Sequence, residues 1–425
     1  MNQNNFIRKL NHIDIFSPYF FLPFIIALYF LTSLVDFHRF EYLEVRRSIL
    51  IPVLLGFLAY FIGVYIAGKR NWMFPTFGLG FLKGKTAIFL YVLGGIGLIA
   101  YGIMFSTGQI GLQDESVRRN LDPKLNFLSS FLWFSTLFLV CNRALREGPL
   151  MNRKKLVYGS ILFIVLVLFL IMGYRTPILV MVFTLLIVFH YTVKQIKLTW
   201  FMAALVLIGV AFSLFGYVRS ATEDQSKSFN QHKGPDVTIS EEKKQENLAL
   251  RKEMESTPEW LRALNNESVT GHIVFSKLIE YVDQHGFLYG DLHKGILAPI
   301  LPGEQRSPRT MVSEMVNSIS IQDGKYITRP GRTTTPTLFG QFYVEAGNLA
   351  IIIGFALYGL ILSMLYNQMK NTGIRSYQTV GYAFVTTIFT ISMHTGLLDL
   401  IFFLMIAYAI VSTSIEKTSN CIKKV

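Results

Sequence analysis

Apolar and polar positions fall in long blocks along the chain, not in a short alternating period. Apolar runs occur at 17–35, 49–67, 86–106, 125–141, 157–173, 176–193, 198–218, 337–367, 379–394 and 397–414. A helix of roughly 20 apolar residues crosses the ~30 Å hydrocarbon core of a bilayer, so the pattern predicts about ten transmembrane helices. The last two runs form one apolar stretch broken at His394-Thr-Gly396, where a hairpin is expected. Pro177, just after Gly173-Tyr-Arg-Thr176, marks a helix start.

One long polar excursion, Val218 to Thr333, interrupts this pattern. It divides the chain into an N-terminal membrane bundle at 1–218 (about seven spans), a large loop at 219–336, a C-terminal bundle at 337–416 (about three spans) and a tail at 417–425. Within the loop, 221–259 is polar and charge-mixed, as expected of a mobile insert. In 260–333 the character changes. Leu261, Leu264, Val269, Ile273, Val274, Leu278, Ile279 and Val282 recur at helical spacing, and this half is expected to fold back on the membrane surface.

Composition agrees with lipid as the solvent. Of 425 residues 52% are apolar and only 16% charged, with 36 Phe and 20 Tyr; a soluble protein carries about a quarter charged residues. The net charge of +13 needs no nucleic acid to explain it, because the basic residues sit mostly in short loops. With ten spans and the N-terminus inside, inside segments hold 18 Lys and Arg and short outside segments 7. That bias places both termini in the cytoplasm and the large loop on the extracytoplasmic side of a cytoplasmic (inner) membrane. The two cysteines, Cys141 and Cys421, form no metal-ligand spacing.

Arginines are the first candidates for chemistry. Arg175 lies between two strongly apolar runs and Arg219 at the exit of another, while Arg306-Ser-Pro-Arg309 and Arg329-Pro-Gly-Arg332 add four more on the same predicted side. Snorkelling to lipid phosphates explains such placement blandly. The functional alternative is a clamp, since the guanidinium fork matches a diphosphate bidentately. Glu345, at a predicted membrane border, can orient a sugar hydroxyl, act as a base or pair with an arginine. His394, with Asp399 five residues on, is a second candidate base. Gln341 and Tyr343 are types that contact sugars, and His272, His285 and His293 in the loop are equally open to structural roles.

Four stretches resemble the oligosaccharide repeat-unit polymerases (O-antigen polymerase, Wzy-type). They are Gly173-Tyr-Arg-Thr-Pro-Ile-Leu-Val180; Gly286-Phe-Leu-Tyr-Gly290 with Ala298-Pro-Ile-Leu-Pro-Gly303; Thr335-Pro-Thr-Leu-Phe-Gly340 with Gly347, Gly354 and Gly359; and His394-Thr-Gly-Leu-Leu398. Arg329 and Gly340 reproduce the family's Arg-x10-Gly spacing, whereas His394 stands where relatives often carry arginine. The resemblance implies an all-α polytopic membrane glycosyltransferase of GT-C-like architecture, working without metal, nucleotide sugar or other cofactor. It would join polyprenyl-diphosphate-linked oligosaccharides, donor to acceptor, alongside a flippase and a chain-length regulator. Arg175, Arg219, Arg306, Arg309, Arg329 and Arg332 would bind the diphosphate, and Glu345 and His394 would be the catalytic candidates. A ligase using the same donor is the nearest rival. A glycolipid transporter fits less well, because ionisable residues cluster at span ends instead of lining a path.

Overall fold

The computed structural model describes residues 14–33, 47–75, 86–109, 122–146, 153–171, 175–204, 206–207, 266–297, 299–301, 306–320, 335–374 and 376–415. The expectations for 221–259 and for Arg219, Arg329 and Arg332 lie outside these residues. Regular structure among the described residues is helical throughout. In chain order the helices are α1 Phe21–Ser33, α2 Arg47–Lys69, α3 Thr86–Ser106, α4 Pro123–Arg146, α5 Arg153–Ile171, α6 Arg175–Thr192, α7 Asn266–His285, α8 Asp291–Lys294, α9 Pro308–Ser320, α10 Thr337–Thr372, α11 Tyr377–Thr395 and α12 Leu400–Ile415.

Four of them, α2, α3, α4 and α10, are long and apolar enough to cross a membrane; α1, α5, α6 and α12 are shorter apolar helices. Of the ten apolar runs, nine fall on helices, and of the tenth, 198–218, the described residues 198–204 are helical. Pro177 sits in the first turn of α6, and the break between α11 and α12 falls at Gly396 (φ +69°).

Helices of equal polarity inside and out cannot be held together by hydrophobicity alone in lipid, so close backbone approach matters. The α2–α10 pair shows it. A Cβ at Gly63 would run into the carbonyl of Ala356, and one at Gly359 into the carbonyl of Tyr60. Gly97 plays the same part between α3 and α4, against the backbone of Leu132. α10 also packs on α11, and α11 on α6 and α12. Outward faces remain apolar, with Phe89, Val92, Leu98 and Ile99 exposed on α3.

At one end of this bundle Asp14 accepts hydrogen bonds from Tyr191 of α6 (2.9 Å) and Tyr366 of α10 (2.7 Å), with Lys370 Nζ at 3.5 Å. Tyr382 of α11 donates to the carbonyl of Phe16. From Gly347 to Tyr366, α10 runs roughly 28 Å at about 1.5 Å per residue, close to the ~30 Å of a hydrocarbon core. The opposite end of α10 carries the loop helices. α7 turns Phe275 and Ile279 toward the main core, and Val274, Leu278 and Val282 toward a second, smaller core. That second core is completed by Leu292 of α8, Val312, Met315 and Val316 of α9, Val344 of α10 and Leu398 of the α11–α12 hairpin.

Candidate functional site

The site begins with a fault in a helix. α10 is interrupted at Ala346 (φ −157°, ψ 34°) and Gly347 (φ 62°, ψ −143°). Gly347 occupies a left-handed conformation that side chains resist, and a Cβ there would lie 2.9 Å from the Phe287 ring. The break leaves the carbonyls of Val344 and Glu345 without helical donors. The 286–290 loop supplies them: Leu288 N donates to Val344 O (2.8 Å) and Tyr289 N to Glu345 O (3.1 Å). Buried backbone groups must find partners, and here that requirement docks the loop on the kink.

Docking brings α8 against the Glu345 side chain. The carboxylate accepts from the amide N–H of Gly290, the amide N–H of His293 (3.2 Å) and the imidazole Nδ1 of His293 (2.5 Å). The Glu345 side chain is 8% exposed and that of His293 35%. One turn before Glu345, and so on the same face, Gln341 lies with its Nε2 at 3.0 Å from His293 Nε2. The same amide accepts from Leu397 N through Oε1 (2.6 Å) and donates to Leu397 O through Nε2 (3.0 Å).

Leu397 belongs to the α11–α12 hairpin, which is held at two further points. His394 Nδ1 is 3.0 Å from the Tyr29 hydroxyl of α1. Asp399 receives a bidentate bond from Arg309 of α9, Nε to Oδ1 at 3.2 Å and Nη2 to Oδ2 at 2.6 Å. Glu345, His293, Gln341, the hairpin backbone, Asp399 and Arg309 thus form one connected polar network above the second apolar core.

Of the residues singled out from sequence, Glu345, His293, Gln341, His394, Asp399 and Arg309 meet in or beside this network. Among the described residues Glu345 pairs with a histidine, His293. Arg306 is exposed and bonds Glu314 (3.3 Å). Arg175 is the first residue of α6. Contacts between α6 and α11, Tyr191 with Tyr382 and Thr184 with Thr387, run antiparallel and carry that helix start toward the hairpin end. His285 stacks on Tyr281. His272 is buried, its Nδ1 3.2 Å from Ser33 Oγ. Its Nε2 has no partner among the described residues, and burial pushes its pKa down. No group of three or more His, Cys, Asp or Glu residues able to hold a metal occurs among the described residues.

Sequence reading did not pair His293 with Glu345, nor find Tyr29 or the clamp made by Gln341. The signal available was Glu-Ala-Gly at 345–347, a carboxylate and a glycine inside an apolar run.

Long apolar helices around a buried polar network at one end of the bundle define an integral membrane protein. Comparison with known families places it further. The family model described as "Putative O-antigen polymerase" matches residues 14–233 and 268–406. The chain belongs to the O-antigen polymerase family, which indicates polymerisation of repeat units into polysaccharide. No curated protein and no solved structure matches the chain.

Proposed function

We propose that this protein polymerises polyprenyl-diphosphate-linked oligosaccharide units on the outer face of the cytoplasmic membrane. In this reading ten spans hold both termini in the cytoplasm, and the segment at 219–336 is the extracytoplasmic loop. The observation that carries it is the family match, which runs through the membrane helices and through the α7–α9 segment that builds the site.

The chemistry follows from the substrate. A hydroxyl of the incoming unit attacks the anomeric carbon of the growing chain, and the lipid diphosphate leaves with the bonding electron pair. Charge then develops on the diphosphate oxygens, and fixed guanidiniums are suited to stabilise it. Arg175, Arg219, Arg306, Arg309, Arg329 and Arg332 are the proposed source, acting without a metal ion. Arg309 already holds a two-oxygen anion, the Asp399 carboxylate, which is the geometry a phosphate would use. The acceptor hydroxyl needs a proton acceptor, for which the Glu345 network and His394 supply candidates. A flippase and a chain-length regulator are the proposed functional partners.

The test is deletion of the gene in its host, with surface glycan resolved by length. A ladder collapsing to single repeat units is expected. Long chains that persist unattached would favour a ligase, and unchanged glycan would sink both readings.

A further inference from the structure

The Glu345 network fixes one proton. Gln341 cannot be turned over, because its Oε1 accepts from Leu397 N and its Nε2 donates to Leu397 O. Its amide nitrogen therefore faces His293 Nε2 at 3.0 Å, and a nitrogen that only donates requires a lone pair opposite it. His293 Nε2 is that lone pair. The single imidazole proton then sits on Nδ1, where Glu345 Oε1 accepts it at 2.5 Å. Both ends of the ring agree on one neutral tautomer. A carboxylate that orients imidazole through Nδ1, with Nε2 unprotonated, is the arrangement of a general base.

The two carboxylate oxygens separate the roles of the two partners. Glu345 is buried and already accepts three N–H groups, so most of its acceptor capacity is taken up by the protein itself. His293 is one-third exposed, and its Nε2 meets the end of a side-chain amide. We infer that His293 is the catalytic base of glycan transfer, that Glu345 is its positioning residue, and that Gln341 holds the place of the acceptor hydroxyl in the resting site. This rests on the polymerase reading above. In the step itself the acceptor O–H gives its proton to His293 Nε2 as its oxygen bonds the anomeric carbon. The bond from that carbon to the diphosphate oxygen breaks, the electron pair leaves with the lipid diphosphate, and the imidazolium returns its proton to solvent.

Other charged groups face this one. On its own short helix Asp291 pairs with Lys294, which also feels Glu345. Of the packed elements, α10 contributes Glu345, and α9 contributes Arg309, bound to Asp399, and Glu314, bound to Arg306. Among the described residues these are paired ions, and none of them is an imidazole.

The experiment uses the full-length protein in lipid vesicles, with lipid-linked repeat unit extracted from the deletion strain as probe. Initial chain-extension rates are followed from pH 5 to 9. The decisive variant is His293→Asn, whose amide nitrogen reaches the Nδ1 position and keeps the bond to Glu345 while lacking a base. A folded His293→Asn protein should lose on the order of 100-fold in rate and lose the rise in rate with pH. Glu345→Gln should lose rate while retaining that rise. His394→Gln should also retain the rise. A His293→Asn protein that keeps the wild-type rate and pH dependence overturns the inference, as does loss of the pH dependence in His394→Gln instead. Absence of extension by the wild-type protein sinks the polymerase reading itself.

Discussion

Two carboxylates mark the two ends of α10, and they are used differently. Asp14 is surrounded by spans: Tyr191 from α6 and Tyr366 and Lys370 from α10 all converge on it. Its neighbouring imidazole, His190, is 2% exposed and spends its Nδ1 lone pair on the amide of Ile196 (3.0 Å). Only its Nε2 faces Asp14, at 3.6 Å. Glu345 instead meets groups from the loop segment, and its imidazole turns the Nε2 lone pair toward the Gln341 side-chain amide. Phenols and a spent imidazole make a staple, whereas an oriented, one-third-exposed imidazole leaves a place for a reacting proton. The same acid, given different donors, separates holding a fold from doing chemistry.

The sharpest way to break this contrast is to remove each acid in turn. Glu345→Gln should cut polymer formation on the order of 100-fold, read as collapse of the glycan ladder in cells. Asp14→Asn should leave ladder length near wild type at permissive temperature and lower thermal stability instead. If the two variants exchanged phenotypes, the assignment of chemistry to the α7–α10 end would be lost.

Next in size comes the kink. Gly347→Ala places a side chain at φ 62° and against the Phe287 ring, which should cost about 1–3 kcal/mol in thermal unfolding. It should also expose the 286–290 loop to protease. Adding Phe287→Ala removes the collision and leaves the backbone strain, so only partial recovery is expected. Full recovery would show that the left-handed conformation matters little.

Much of this architecture is legible in the sequence, and the illegible part has a physical reason. Apolar blocks name the helices because lipid exposure demands unbroken hydrophobicity. The break at His394-Thr-Gly396 is readable because glycine tolerates the turn. The Val274, Leu278, Val282 face of α7 follows from its period. The His293–Glu345 pair joins residues 52 apart, and it exists only because the α10 fault at 346–347 frees two carbonyls for a loop. Nothing local to His293 distinguishes it from His285, which turns back on its own helix. Asp14 escaped notice for the same reason, since its partners lie far along the chain.

The staple should show itself against acid. Burial alone would raise the Asp14 carboxyl, but the neighbouring His190 imidazole, hydrogen bonds from Tyr366 and Tyr191, and Lys370 nearby outweigh it and hold the pKa at about 2. A carboxyl depressed in the folded state contributes stability above its unfolded pKa and loses it as pH falls through the folded one. The contribution is roughly 2 kcal/mol. The stability gap between wild type and Asp14→Asn should therefore be full at neutral pH and close between about pH 4 and pH 2. A gap that stayed constant across that window would mean the tyrosines, not the charge, do the stapling.

The smallest expected effects concern the second imidazole at the site's end. Tyr29 reaches His394 only because residue 271 is glycine, since a Cβ there would strike the Tyr29 hydroxyl. Tyr29→Phe deletes one hydrogen bond and should cost about 1 kcal/mol. Gly271→Ala should cost at least as much, by pushing the whole ring aside. Because both changes act on the one contact, the double variant should cost less than the two singles together in thermal unfolding. Strict additivity would uncouple Gly271 from the hairpin. It would leave His394 held by something other than this tyrosine, and would shift weight in fixing the hairpin's register over Gln341 to the Arg309–Asp399 pair.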